Sequence, residues 1–255
     1  MSEPTIAPLL SVRDLTVRHG GLVALDQVSM VVDTGTIVGL IGPNGAGKTT
    51  FIDTLSGFTT PQDGRIELDG HRIDPLSAHR RAQLGLVRTF QSLELFEDLT
   101  VEENLRTALD RPGPWSLLRD ALWPRRVDHA VIGEVLDDLG IGDTAGRRPG
   151  ELSNGQRHLA ALARGLVARP RLLLLDEPAA GLDPDESAEL SAVLRSLPGR
   201  GTSVLLVEHD MAVVLEVCDR VDVIDFGSLI ASGTPAEIRA DERVIAAYLG
   251  DGSTP

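Results

Sequence analysis

Apolar and polar residues alternate from residue 9 to residue 32. Leu10, Val12, Leu15 and Val17 precede the pair Gly20 and Gly21, and Val23, Leu25, Val28 and Met30 follow it. A period of two predicts two half-buried strands joined at the glycines, an antiparallel start to the fold. The pattern then changes: TIVGLI at 36–41, LLLL at 172–175, SVLLV at 203–207 and VDVI at 221–224 are apolar almost throughout, as strands are when both faces of their sheet are covered. Helical periodicity at 184–197 and 210–218 separates the later runs, and strands alternating with helices predict an α/β protein with a parallel sheet flanked by helices. Between 92 and 168 helical patterns dominate. VEENLRTAL follows a Thr100 cap, and Leu159, Leu162, Ala163 and Leu166 make one face of 153–168. The expected organisation is a single domain over 8–250. Its core comprises 8–91 and 169–250, including the antiparallel part, and a helical subdomain fills 92–168. Inside that subdomain WSLLRDALW, between Pro114 and Pro124, reads as a short helix that either covers the insertion's own core, as aromatic side chains usually do, or meets a partner.

Composition narrows the classes. Hydrophobic residues make up 42% of 255, enough for a sizeable core, and the net charge is −14. A duplex binder needs a basic footprint to displace counterions, so nucleic acid is disfavoured as a partner. The lone Cys218 has no internal disulfide partner, and MSEPTIAPLL lacks the positive start and long apolar run of a secretion signal. No stretch holds 18 consecutive apolar residues, the length a membrane span needs. These features predict a cytosolic location, with any service to a membrane performed by docking.

The chemistry begins at GPNGAGKTT, residues 42–50, which fits GxxxxGK[ST] between a predicted strand and a predicted helix. Gly42, Gly45 and Gly47 let backbone amides face phosphates, with Pro43, Asn44, Ala46 and Thr50 completing the loop. Lys48 neutralises the β and γ groups, and the Thr49 hydroxyl can ligate Mg²⁺. The apolar run LLLL ends in Asp176 and Glu177. In isolation the pair reads as an exposed acidic turn; downstream of a phosphate loop, Asp176 is placed to hold Mg²⁺ and Glu177 to act as base for an attacking water. His209 follows VLLVE at the carboxyl edge of the predicted sheet, and Gln91 follows LVRTF; each alone reads equally as an ordinary polar residue. In ELSNGQRH, residues 151–158, Ser153 and Gln156 stand three apart as a helix-opening capping box. Gly155 sits badly with that reading, because glycine in a first turn costs about 1 kcal/mol relative to alanine unless something must approach the backbone.

The phosphate loop, RTFQ at 88–91, LSNGQ at 152–156, LLLLDEP at 172–178, AGLD at 180–183 and VEHD at 207–210, in that order, closely resemble the ATP-binding subunits of ABC transporters over residues 9–250. The resemblance implies a P-loop NTPase of RecA-like architecture that hydrolyses ATP with Mg²⁺. In its terms Gln91 is the Q-loop glutamine, Glu177 the catalytic glutamate, Asp183 the D-loop aspartate and His209 the switch histidine. Thr49, Gln91 and Asp176 hold the metal, while Lys48 and His209 stabilise charge. Ser153, Asn154, Gly155 and Gln156 form a signature that acts on ATP held by a second, head-to-tail ATPase subunit, identical or paralogous. His19 stands where an aromatic usually stacks on adenine, and Asn154 where the signature usually has Gly.

RHGGLVALDQVSM, LSGF, HRRAQLGLVRTFQ, DEPAAGLDP and the ending ERVIAAYLG resemble the subunits of branched-chain amino-acid importers in particular. That type implies transmembrane permease partners, a solute-binding protein beyond them, and a peripheral place on the cytoplasmic face of the membrane. The alternative is a soluble ABC ATPase of the iron-sulfur assembly or DNA-repair kind. The DNA-repair form is disfavoured by the acidic charge and by the lack of sustained heptads between Lys48 and Ser153.

Overall fold

The computed structural model describes residues 8–89, 95–109 and 129–249. They fall into two compact units, 8–89 with 171–249 and 95–109 with 129–170. In chain order the elements are β1 (Leu10–His19), β2 (Leu22–Val32), β3 (Ile37–Ile41), α1 (Lys48–Ser56), β4 (Asp63–Leu68), β5 (His71–Arg72), α2 (Ala78–Gln83) and β6 (Leu86–Thr89). The second unit contributes α3 (Val101–Leu109), α4 (His129–Asp138) and α5 (Asn154–Leu166). The first unit resumes with β7 (Leu172–Asp176), α6 (Pro184–Ser196), β8 (Ser203–Val207), α7 (Met211–Val217), β9 (Arg220–Asp225), β10 (Ser228–Gly233), α8 (Pro235–Ala240) and α9 (Glu242–Leu249). WSLLRDALW and Gln91 lie outside the described residues.

The antiparallel start forms as the alternation predicts, with Leu10 opposite Val32 and His19 opposite Leu22. The step from Val12 to Leu15 breaks the period of two, and the pairing shifts register there. Asp14, at φ 49, occupies the left-handed region that Asp tolerates better than most residues, and the irregularity returns Leu15 and Val17 to the buried face. β4 and β5 extend this sheet to the order β2-β1-β4-β5. They escape a reading by hydrophobic pattern because DGRIEL and HR carry mostly polar side chains.

The second sheet runs β10-β9-β3-β8-β7-β6. Its strands from β9 through β6 are parallel, and β10 is an antiparallel edge. Every residue of β3, β7 and β8 is buried. Burial of each Leu side chain in β7 contributes roughly 1.5–3 kcal/mol. Because β3, β6, β7 and β8 point the same way, the segments that follow them collect at one edge, the place where parallel sheets bind ligands.

A buried cation fixes the helix that leaves that edge. Arg81 on α2 is 1% exposed, and its guanidinium donates to the carbonyls of Thr54 (2.6 Å) and Leu55 (2.7 Å) in the last turn of α1. It also donates to the carbonyls of Asp74 and Leu76. The terminal carbonyls of a helix lack intrahelical partners and carry partial negative charge, so a cation there satisfies both needs.

In the second unit, helices α3, α4 and α5 pack on one another. Thr100 opens α3 as read from the sequence: its hydroxyl accepts from the Glu103 amide (3.2 Å) and its own amide donates to the Glu103 carboxylate (2.8 Å). Asn104, fully buried, meets its hydrogen-bonding needs at the carbonyls of Phe96, Leu99 and Thr100 and the amide of Phe96.

Candidate active site

The phosphate loop leaves β3 at Ile41 and enters α1 at Lys48. Gly42 is required by close approach, since a Cβ there would lie 2.0 Å from the Ile224 carbonyl oxygen. Gly47 is required by conformation, with φ 109, and by the Ala24 carbonyl 2.6 Å from where its Cβ would be. The loop is pinned from outside by the turn between β9 and β10: the Gly227 amide donates to the Ala46 carbonyl (2.9 Å), and the Asp26 amide to the Gly227 carbonyl (2.8 Å). Lys48 is 7% exposed and folds back onto the loop, its ammonium donating to the carbonyls of Gly42 (2.6 Å) and Pro43 (3.0 Å).

A cavity of about 480 Å³ opens over this loop, lined by residues 44–50, His19, Glu177 and Phe226 among others. Asn44, Gly45 and Thr49 are exposed and Thr50 half-buried, so the loop presents backbone and hydroxyl groups to the space. His19 ends β1 at the cavity wall, exposed. Phe226 is 90% exposed at φ 43 in the β9–β10 turn, and nothing in the pattern of the sequence marks it out.

At the adjacent strand ends, Asp176 is 7% exposed and its Oδ2 accepts from Arg88 Nη2 at 2.9 Å. The other arm of Arg88 reaches Asp53 on α1 at 2.5 Å. Arg88 therefore ties β6, β7 and α1 together. A lone charge within the strand LVRT was the signal available for it. Glu177 takes φ 50, an uncommon conformation for a residue with a Cβ, while its amide donates to the Val207 carbonyl at 2.8 Å. Its carboxylate Oε2 lies 3.8 Å from Nδ1 of His209. Glu208, next to His209 in the chain, is fully buried, and burial raises its carboxyl above the ordinary range.

Asp183 opens α6, its Oδ1 accepting from the Glu186 amide at 2.9 Å. In the second unit Ser153 is the N-cap of α5: its hydroxyl accepts from the Gln156 amide (3.2 Å) and its amide donates to Gln156 Oε1 (3.1 Å). Asn154 heads the helix with its carbonyl 2.9 Å from His158 Nδ1, and Gly155 is buried. Of the sequence-derived site, the cavity in the first unit brings together His19, residues 44–50 and Glu177, with Asp176 next to Glu177 in the chain and His209 3.8 Å from its carboxylate. Ser153, Asn154, Gly155 and Gln156 are grouped on one helix start in the second.

The chain resembles known proteins over most of its length. The sequence profile of the ABC transporter family matches residues 25–180, and that of branched-chain amino acid ATP-binding cassette transporters matches 228–254. The high-affinity branched-chain amino acid transport ATP-binding protein BraF of Pseudomonas aeruginosa is 41% identical over 96% of this chain and 98% of its own length. The corresponding LivG protein of Escherichia coli is 40% identical over the same shares. The lipopolysaccharide export system ATP-binding protein LptB of Haemophilus influenzae is 35% identical over 95% of this chain. Among solved structures, a nucleotide-free ATP-binding cassette from an ABC transporter superposes with a TM-score of 0.84 at 29% identity, covering 95% of this chain and 99% of that one.

Proposed function

The chain belongs to the ATP-binding subunits of ABC transporters, of the branched-chain amino-acid type, and from that premise we propose that it is the motor of an importer for branched-chain or other hydrophobic amino acids. It binds ATP and hydrolyses it to ADP and phosphate in step with transport. The observation that carries the reading is the cavity shared by the phosphate loop and Glu177, which puts a phosphate cradle and a carboxylate base on one space. A soluble ABC ATPase without a permease is not favoured, because the names of the curated relatives speak of transport.

In the proposed cycle ATP enters this cavity. Lys48 exchanges its two loop carbonyls for the β- and γ-phosphates, and the loop amides receive the remaining phosphate oxygens. Glu177 takes the proton of a water aligned with the γ-phosphate, while His209 donates to the charge that develops there. Thr49, Gln91 and Asp176 would hold Mg²⁺. Their hydroxyl, amide and carboxylate oxygens are the hard donors this cation takes alongside substrate phosphates. Arg88, on Oδ2 of Asp176, already fixes the carboxylate's orientation. When bound, Mg²⁺ neutralises charge on the β- and γ-oxygens.

The signature residues Ser153 to Gln156 offer a helix N-terminus to the nucleotide of a second ATPase subunit, identical or paralogous, which makes ATP the adhesive of a head-to-tail dimer. Asp183 lies in the loop that such a dimer would bring near the same phosphates. Closure is transmitted to transmembrane permease subunits, which a solute-binding protein loads from outside. Among the described residues no helix is long and apolar enough to cross a membrane, which supports a peripheral place, on our reading at the cytoplasmic face.

The test is purification of the tagged chain from membranes, identification of the attached permease, and uptake of labelled leucine with and without the chain. Permease recovery with chain-dependent uptake is expected; recovery with soluble proteins alone would overturn the reading. A narrower prediction concerns the base. Imidazole covers less of adenine than phenol does, so His19→Tyr should tighten ATP binding about two- to fivefold, on the order of 0.5–1 kcal/mol. Titration calorimetry showing an unchanged Kd would remove His19 from the adenine site.

A further inference from the structure

Strand β8 ends at Val207, and the next side chain is a carboxylate with no exposed surface. Removing such a group from water is costly unless its oxygens are satisfied. Here they are satisfied by backbone. Oε1 of Glu208 accepts from the Ala179 amide at 2.9 Å, and Oε2 accepts from the amides of His209 at 3.1 Å and Asp210 at 3.4 Å.

The two oxygens serve different loops. Ala179 stands two residues beyond Glu177, in the turn closed by the Ala180 amide on the Glu177 carbonyl (3.2 Å). That turn is tied to the end of β8 a second time, where the Glu177 amide meets the Val207 carbonyl. His209 and Asp210 begin the segment that leads into α7, and Asp210 caps that helix by accepting from the Ala212 amide at 2.8 Å. Nδ1 of His209 lies 3.8 Å from Oε2 of Glu177 and 3.8 Å from Oε2 of Glu208. An apolar side chain would fill the same volume without the desolvation cost, but it could not accept from two loops at once.

We propose that Glu208 is a positioning residue for ATP hydrolysis: its carboxylate joins the turn that aims Glu177 to the segment that carries His209, so that the two side chains address the γ-phosphate as one unit. The left-handed backbone of Glu177 is consistent with a turn held in place from outside, since such a conformation persists only where its surroundings over-determine it. The ATP cradle on β3 and α1 takes no part in these bonds, so nucleotide binding is independent of the joint.

This inference rests on the roles assigned above to Glu177 and His209, and the experiment separates the two. ATP hydrolysis is measured for the full chain and for Glu208→Gln, Glu208→Met, His209→Ala, Glu177→Gln and the double variant Glu208→Gln with His209→Ala. Gln keeps one acceptor oxygen and turns an amide group toward N–H donors. Met fills the volume with neither acceptor, and it keeps the test in hand should the Gln variant fold poorly. Both single exchanges at 208 should lower kcat about tenfold and leave KM for ATP within twofold. In the double variant the loss should be smaller than the product of the single losses, which a purely structural role would not produce. If Glu177→Gln and His209→Ala cripple turnover while the 208 variants keep wild-type kcat, or raise KM in parallel, or multiply with His209→Ala, the positioning role is overturned. If Glu177→Gln and His209→Ala themselves turn over normally, the underlying assignment of base and switch fails instead.

Discussion

Glu177→Gln should bind ATP as the wild type does, hydrolyse it more slowly by a factor on the order of 10²–10⁴, and accumulate as a dimer. Glutamine preserves the volume and leaves intact the backbone bond from residue 177 to the Val207 carbonyl. What it removes is the capacity to take a proton from water. The bonds of Lys48 to the carbonyls of Gly42 and Pro43, and of Gly227 to Ala46, hold the cradle and are left in place by the exchange. Binding is therefore spared. Because the γ-phosphate is the proposed contact for the partner's signature, a site that retains it keeps two subunits together. Phosphate release and size-exclusion chromatography in ATP and Mg²⁺ check both halves. A monomer with full turnover would refute the scheme.

The second large effect concerns stability. Arg88→Met should cost about 3 kcal/mol, because it strands a carboxylate that the fold has already taken out of water. The side chains of Arg88 and Asp176 are 9% and 8% exposed, and Asp53, the other partner, is 33% exposed. Asp53 can turn to solvent when the guanidinium is lost, whereas Asp176 cannot, so the penalty concentrates on Asp176. For a chain of this size such a loss lowers Tm by about 6–12 °C. Neutralising the stranded group should recover most of it, so Arg88→Met with Asp176→Asn is expected to melt well above Arg88→Met alone when both are scanned without nucleotide or Mg²⁺. A fall in Tm below about 2 °C for the single variant, or a double variant less stable than the single, would show that the pair is not the keystone described.

What the sequence made legible was local. The apolar run into GPNGAGKTT requires only neighbouring residues to specify strand, loop and helix. The caps at Thr100 and Ser153 are spacing rules, and both close as the spacing predicts. The roles of Arg88 and Glu208 are different in kind. Arg88 meets partners 35 and 88 positions away, and the Ala179 amide on Glu208 is 29 positions distant. A period of two or 3.6 carries no information about such pairs. In the string VLLVEHD, Glu208 reads as the polar residue at which a buried strand surfaces, yet the fold buries it completely. The strands β4 and β5 were hidden for a related reason: the alternation of Ile66 and Leu68 is too short to mark a strand and HR has none, and β4 joins the sheet by pairing with β1 and β5 by pairing with β4.

The completed hydrogen-bond exchange between Ser153 and Gln156 has a consequence for timing. A helix start left open would have to be frozen into shape when a second subunit arrives, and that ordering would slow the encounter and weaken it. Here the lone chain has already closed its first turn. For the dimer we propose, two finished surfaces meet, so the speed of assembly is governed by how often ATP-loaded subunits collide in the right orientation, and the permease, by holding them face to face, sets that frequency.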